Sequence, residues 1–96
     1  MTDLAGRVAL VTGASHGTGV DIARALAAAG ARVAVHYRSD RAAADALAAG
    51  LREGGTDAAI FAADVARPDD VRRLVAEVGA RLGPPAVVVN LSLIHI

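Results

Sequence analysis

Apolar and polar positions alternate along this chain in blocks, a short unbroken apolar run followed by a longer stretch with helical spacing. The runs are Arg7–Thr12 (RVALVT), Arg32–Tyr37 (RVAVHY), Asp57–Ala63 (DAAIFAA) and Ala86–Asn90 (AVVVN). Their length and β-branched content predict strands buried on both faces, as in a parallel sheet. Between them, Ile22 and Leu26 stand one turn apart and predict a helix over 18–29. Leu47 and Leu51 do the same for 40–53, where Ser39 or Asp40 offers a cap. The clearest helix signal follows Pro68, a residue suited to the first helical position. Asp69 and Asp70 complement the positive helix end, and Val71, Leu74, Val75, Val78 and Leu82 form one apolar stripe. Gly30, Gly54-Gly55 and Gly83-Pro84-Pro85 stop the helices.

Strands and helices that alternate through short connections predict an α/β unit of the form β-α-β-α-β-α-β. Right-handed crossovers then place the strands in the order 3-2-1-4. Winding reverses between the first and fourth strands and leaves a crevice at their carboxyl ends, where open α/β sheets take ligands.

The segment that opens on this crevice is Thr12-Gly13-Ala14-Ser15-His16-Gly17-Thr18-Gly19. A diphosphate needs backbone N–H donors at a helix N-terminus and no Cβ atoms in its way. Gly13 permits a tight turn, Gly17 a close backbone approach, and Gly19 close packing of helix on strand. Position after a buried strand and before an amphipathic helix is the context such a motif requires. The alternative is a glycine turn between packed elements that binds nothing. A phosphate loop of the Gly-Lys-Ser/Thr type is excluded, because all ten basic residues are arginine.

The Thr-Gly-x-x-x-Gly-x-Gly spacing resembles the short-chain dehydrogenase/reductase family. Gly30-Ala31-Arg32-Val33 leading into the second strand, Asp64-Val65 after the third and Asn90 ending the fourth match it as well. The resemblance implies a Rossmann-like sheet of which residues 1–90 form the N-terminal half, similar to 3-oxoacyl-carrier-protein reductases and to sugar or secondary-alcohol dehydrogenases. It further implies cofactor contacts from Gly13, Ser15, His16, Gly17, Thr18 and Gly19, from Asp64 and Val65 at adenine, and from Asn90.

The end of the second strand separates NAD(H) from NADP(H). Enzymes that prefer NAD place an acid there to accept from the ribose 2′-OH. Tyr37 holds that position here, followed by Arg38 and Ser39. A guanidinium fork suits phosphate oxygens, and the missing acid would have repelled a 2′-phosphate. NADP(H) is therefore expected over NAD(H), with Arg38 and Ser39 as contacts. A solvated arginine and a helix cap are their plain alternatives, and for Asp64 a carboxylate that closes its own turn. His16 stands where many NADP-dependent relatives carry a second arginine and offers one hydrogen bond. His36 reads as a strand residue rather than a ligand.

Composition narrows the field further. Ninety-six residues, 54% hydrophobic and 21% charged, support one small packed domain, and one Tyr, one Phe and no Trp leave small side chains to fill it. Zero formal net charge argues against a nucleic-acid partner. Without cysteine there is neither a disulfide framework nor a thiolate metal site, and no metal centre is expected. No apolar run reaches transmembrane length and no signal-peptide pattern opens the chain, so no membrane and a cytoplasmic location are expected.

Leu91-Ser92-Leu93-Ile94-His95-Ile96 departs from the Asn-Asn-Ala-Gly of the resembled family and reads as the translation of a transposon-end sequencing adapter. These residues are expected to be non-native, and the codons that encode them decide it. The resembled family carries its catalytic Ser and Tyr-x-x-x-Lys pair in a later part of a chain of about 250 residues. Tyr37 has no such lysine partner. No catalytic residue is therefore expected in this chain, which alone is expected to be inactive and marginally stable or insoluble. For the parent protein the resemblance implies hydride transfer between NADP(H) and a small carbonyl or alcohol substrate, in a homo-oligomer, expected to be a tetramer. A non-catalytic, dinucleotide-binding redox sensor is the alternative.

Overall fold

The computed structural model describes residues 3–14 and 16–90. Its elements are β1 (Val8–Thr12), α1 (Thr18–Ala28), β2 (Arg32–Tyr37), α2 (Arg41–Glu53), β3 (Ala58–Ala62), α3 (Pro68–Arg81) and β4 (Pro85–Asn90). All strand pairs are parallel, in the order β3-β2-β1-β4, as right-handed crossovers require. β1 starts one residue later than its apolar run, because the Arg7 N–H turns back to the Leu4 carbonyl at 2.9 Å. β4 starts one residue earlier, at Pro85, a position that needs no ladder donor. Ser15 and Leu91–Ile96, both singled out by their sequence, lie outside the described residues.

Strand alternation divides the core in two. Val11, Val33, Val35 and Tyr37 pack on one face with Ala23 of α1 and Ala44, Leu47, Ala48 and Leu51 of α2. Val8, Leu10, Ala34, Ala59 and Phe61 pack on the other with Leu74 and Val78 of α3 and with Leu82 just past its end. Fully buried alanines at 23, 44 and 48 bring helix backbones close to the sheet, which is how a chain poor in aromatics fills its interior. Leu74 is among the most deeply buried side chains, and truncation to alanine costs about 2–5 kcal/mol.

The stripe on α3 is narrower than its spacing suggests. Leu74, Val78 and Leu82 are buried, Val71 is half-buried, and Val75 is 43% exposed. One row of side chains suffices for a helix that meets a flat sheet on one side. Asp40, not Ser39, caps α2: its Oδ1 accepts from the Ala43 N–H at 3.0 Å. β1 has a neighbour on each side and is buried throughout, whereas β4 pairs only with β1 among the described residues and leaves Val88 59% exposed. Among the described residues no helix is long and apolar enough to cross a membrane, and no cluster of His, Cys, Asp and Glu could hold a metal.

Candidate functional site

Parallel register brings the carboxyl ends of all strands to one edge, with Thr12 opposite Asn90 and Tyr37 opposite Ala62. The Gly13–Gly19 turn, Arg38, Asp64 and Asn90 therefore emerge side by side. A surface hollow of about 390 Å³ lies at the opposite edge, between Gly30–Arg32 and Gly54–Asp57, away from these groups.

Backbone shape explains the glycines of the turn. Gly13 has φ 63°, and Gly17, the residue that precedes α1, has φ 53° and ψ −124°. Side chains of L residues rarely adopt either. Among the described residues, and apart from its chain neighbours, nothing lies within 4 Å of where a Cβ at Gly13 or Gly17 would stand. Gly19 is buried at the start of α1, in keeping with close packing on the strand. Its N–H and that of Val20 close tight turns onto the His16 and Gly17 carbonyls at 3.1 Å. The N–H groups of Gly17 and Thr18 have no acceptor among the described residues. They stand at the positive end of the helix dipole and can serve an anion there. Asp21, exposed in the first turn, tempers that field.

The edge is laced by side chains that the sequence did not mark. His36 is buried and bridges two loops: its Nδ1 accepts from the Gly13 N–H at 2.9 Å, and its Nε2 donates to the Ala63 carbonyl at 2.8 Å. Since an amide only donates and a carbonyl only accepts, the ring is the neutral Nε2–H tautomer. The Thr12 hydroxyl lies 3.2 Å from both the Val89 carbonyl and Asn90 Oδ1, tying the ends of β1 and β4. Asp70 reaches back from the first turn of α3 and accepts from the Asp64 N–H at 2.9 Å. That bond outweighs the opposing effect of burial and, with the nearby Arg73 and Arg67 guanidinium groups, holds its carboxyl below the ordinary value.

Two side-chain pairs form the rim. Arg38, with 76% of its side chain exposed, places one guanidinium nitrogen 3.9 Å from Asp64 Oδ2. Asp64 Oδ1 meanwhile accepts from the Ala66 N–H at 3.0 Å, so the carboxylate closes its own turn and still faces outward. His16 Nε2 lies 3.0 Å from Asp40 Oδ2, which draws the glycine turn and the start of α2 together. Ser39 is exposed between them, and Val65 is half-buried beside Asp64.

Of the residues expected from sequence, Gly13, His16, Gly17, Thr18, Gly19, Arg38, Ser39, Asp64, Val65 and Asn90 thus share one edge, while Ser15 lies outside the described residues. His36, Asp40 and Asp70 are the functional candidates that sequence reasoning missed. The spacing of Asp70 at the third position of α3 was a usable signal. Asp40 was marked only as a helix cap, and no short-range pattern reports its contact with His16 or those of His36 with Gly13 and Ala63.

This arrangement has known counterparts. The family profile described as short chain dehydrogenase matches residues 7–92. An uncharacterized oxidoreductase of Methylorubrum extorquens is 42% identical over 95 residues, covering 99% of this chain and 38% of that protein. A 3-oxoacyl-[acyl-carrier-protein] reductase of Synechocystis is 47% identical over 75 residues, covering 78% and 30%. The crystal structure of a short chain dehydrogenase from Burkholderia cenocepacia in complex with NADP superposes with a TM-score of 0.83 at 41% identity, covering 88% of this chain and 35% of that one. The chain spans about a third of the length of these counterparts.

Proposed function

The chain belongs to the short-chain dehydrogenase family, and from that premise we propose that it is the cofactor-binding portion of an oxidoreductase that prefers NADP(H). The conformation of Gly17 carries this reading. Its torsions are ones that L residues rarely adopt, and among the described residues the place of a side chain is open and bordered by the unpaired N–H groups of 17 and 18. Those groups fit a diphosphate. Gly13 and Gly19 shape the same turn, Ser15 would add a contact to the diphosphate, and Asp64 with the Val65 backbone would receive adenine. Asn90, held at the end of β4 beside Thr12, would border the nicotinamide side.

The side chains after β2 favour the phosphorylated cofactor. Tyr37 is buried and brings no carboxylate to the ribose, while the Arg38 guanidinium stands in solvent beside Asp64. Arg38, with Ser39 and His16 on either side, would hold the 2′-phosphate through charge-assisted hydrogen bonds. The NADP complex of the Burkholderia relative supports this preference. When bound, the dinucleotide supplies or accepts a hydride, and the protein positions it and keeps out water. The substrate class proposed for the whole protein is a small carbonyl or its alcohol, with the similarity to the Synechocystis reductase favouring the acyl-reductase group.

Arg38→Ala tests the assignment. Loss of a charge-assisted hydrogen bond of about 1.5–3 kcal/mol predicts NADPH binding weaker by about ten- to a hundredfold. NADH binding should stay unchanged. Equal affinities in the wild type, or an unaltered preference in the variant, would reject it.

A further inference from the structure

We propose that His36 is the positioning residue that sets the diphosphate turn and the adenine loop in one fixed relation. The inference rests on the dinucleotide reading above and adds to it a residue that touches neither part of the cofactor. The imidazole is 2% exposed and satisfied at both nitrogens. One bond ends on Gly13, the first left-handed residue of the glycine turn; the other ends on Ala63, directly before Asp64. The main chain of the same residue adds a third tie, since the His36 carbonyl accepts from the Ala14 N–H at 3.2 Å.

These loops follow different strands, and regular pairing ends before both of them. β1 stops at Thr12 and β3 at Ala62. Beyond those points one backbone bond ties each loop to β2, from the Ala14 N–H to the His36 carbonyl and from the Ala63 N–H to the Tyr37 carbonyl, both at 3.2 Å, and no ladder joins the two loops directly. A planar ring with an acceptor and a donor on opposite sides spans the gap between them. An aliphatic side chain of similar volume would fill the space yet leave the Gly13 N–H and the Ala63 carbonyl without these partners. Buried groups left that way drive local rearrangement. The ring therefore holds the floor beneath the site, while the rim pairs of His16 with Asp40 and Arg38 with Asp64 lie exposed above it.

Asparagine and glutamine divide the two links. Asn offers an acceptor near the Nδ1 position and keeps the Gly13 bond; Gln carries a donor near the Nε2 position and keeps the Ala63 bond. The full-length protein is titrated with NADPH and with adenosine 2′-monophosphate, which carries adenine and the 2′-phosphate but no diphosphate. His36→Gln should weaken NADPH roughly tenfold and leave adenosine 2′-monophosphate within about twofold, the loss expected from one misplaced buried donor. His36→Asn should weaken both probes by about tenfold. A His36→Gln variant that changes both probes alike or neither, or a His36→Asn variant that leaves adenosine 2′-monophosphate unchanged, overturns the inference although wild-type binding of NADPH upholds the cofactor reading. A wild type that ignores NADPH defeats both.

If substitution prevents folding, the wild type decides by NMR. The ring must carry its proton on Nε2, and the Gly13 amide must exchange with solvent more slowly once NADPH is bound. A proton on Nδ1, or unchanged exchange, overturns the proposal.

Discussion

Replacement of Gly17 by alanine separates what the turn demands of the fold from what it demands of the ligand. At φ 53° and ψ −124°, Gly17 lies outside even the left-handed well near φ ≈ +57°, ψ ≈ +47°. Holding an alanine there costs about 1–3 kcal/mol of backbone strain. Among the described residues packing adds nothing, since none beyond the chain neighbours lies within 4 Å of the Cβ position. In a protein of about 250 residues each kcal/mol lowers Tm by roughly 2–4 °C. The ligand loses more: the new methyl group occupies the space beside the Gly17 and Thr18 N–H groups, and relief of the strain turns those donors away. Loss of a charge-assisted bond there predicts NADPH binding weaker by about ten- to a hundredfold. Gly83→Ala is the matched control. Gly83 also has positive φ, at 121°, and its Cβ would press on Val8 Cγ2 at 3.3 Å, far from the turn. Denaturant titration and NADPH fluorescence on both full-length variants should show two destabilised proteins, only one of them deficient in binding. Wild-type affinity in Gly17→Ala, or an equal loss in Gly83→Ala, refutes the reasoning.

Asp40→Ser keeps a competent helix cap but removes a carboxylate from the phosphate rim and frees His16. It should raise NADPH affinity about threefold with NADH unchanged, as expected for removal of one nearby like charge. A fall in NADPH affinity would show that the pair serves the site. Asp70→Asn addresses acid stability. The folded pKa of Asp70 lies below its ordinary 3.8, chiefly through the bond from the Asp64 N–H. Its contribution is therefore complete above pH 3.8 and fades as pH falls through the lowered folded value. Thermal melts should show a shallower decline below pH 3.8 in Asp70→Asn than in the wild type; parallel declines contradict this.

How far sequence alone reaches here follows from the range of each interaction. Strand order and the glycine turn were legible, because alternating apolar runs and Gly13, Gly17 and Gly19 encode their structure within a few residues. Asp64 was legible with both of its weighed roles, and the structure shows the turn-closing one directly. His36 was read as a strand residue only. It is one, but its side chain works across 23 and 27 positions of sequence to Gly13 and Ala63, which no local period reports. Ser39 and Asp40 were equivalent as caps until the geometry selected Asp40. Val75 continued a valid helical period, yet its burial depended on the breadth of the surface that α3 meets.

The central claim is that main-chain amides at the mouth of α1 receive the diphosphate. Backbone amide resonances of Gly17 and Thr18, followed while full-length protein is titrated with NADPH, test it most directly. The account predicts that both move and saturate together with bound cofactor, and that NADH moves them in the same direction at higher concentration. Resonances that stay in place while NADPH saturates the protein would contradict it.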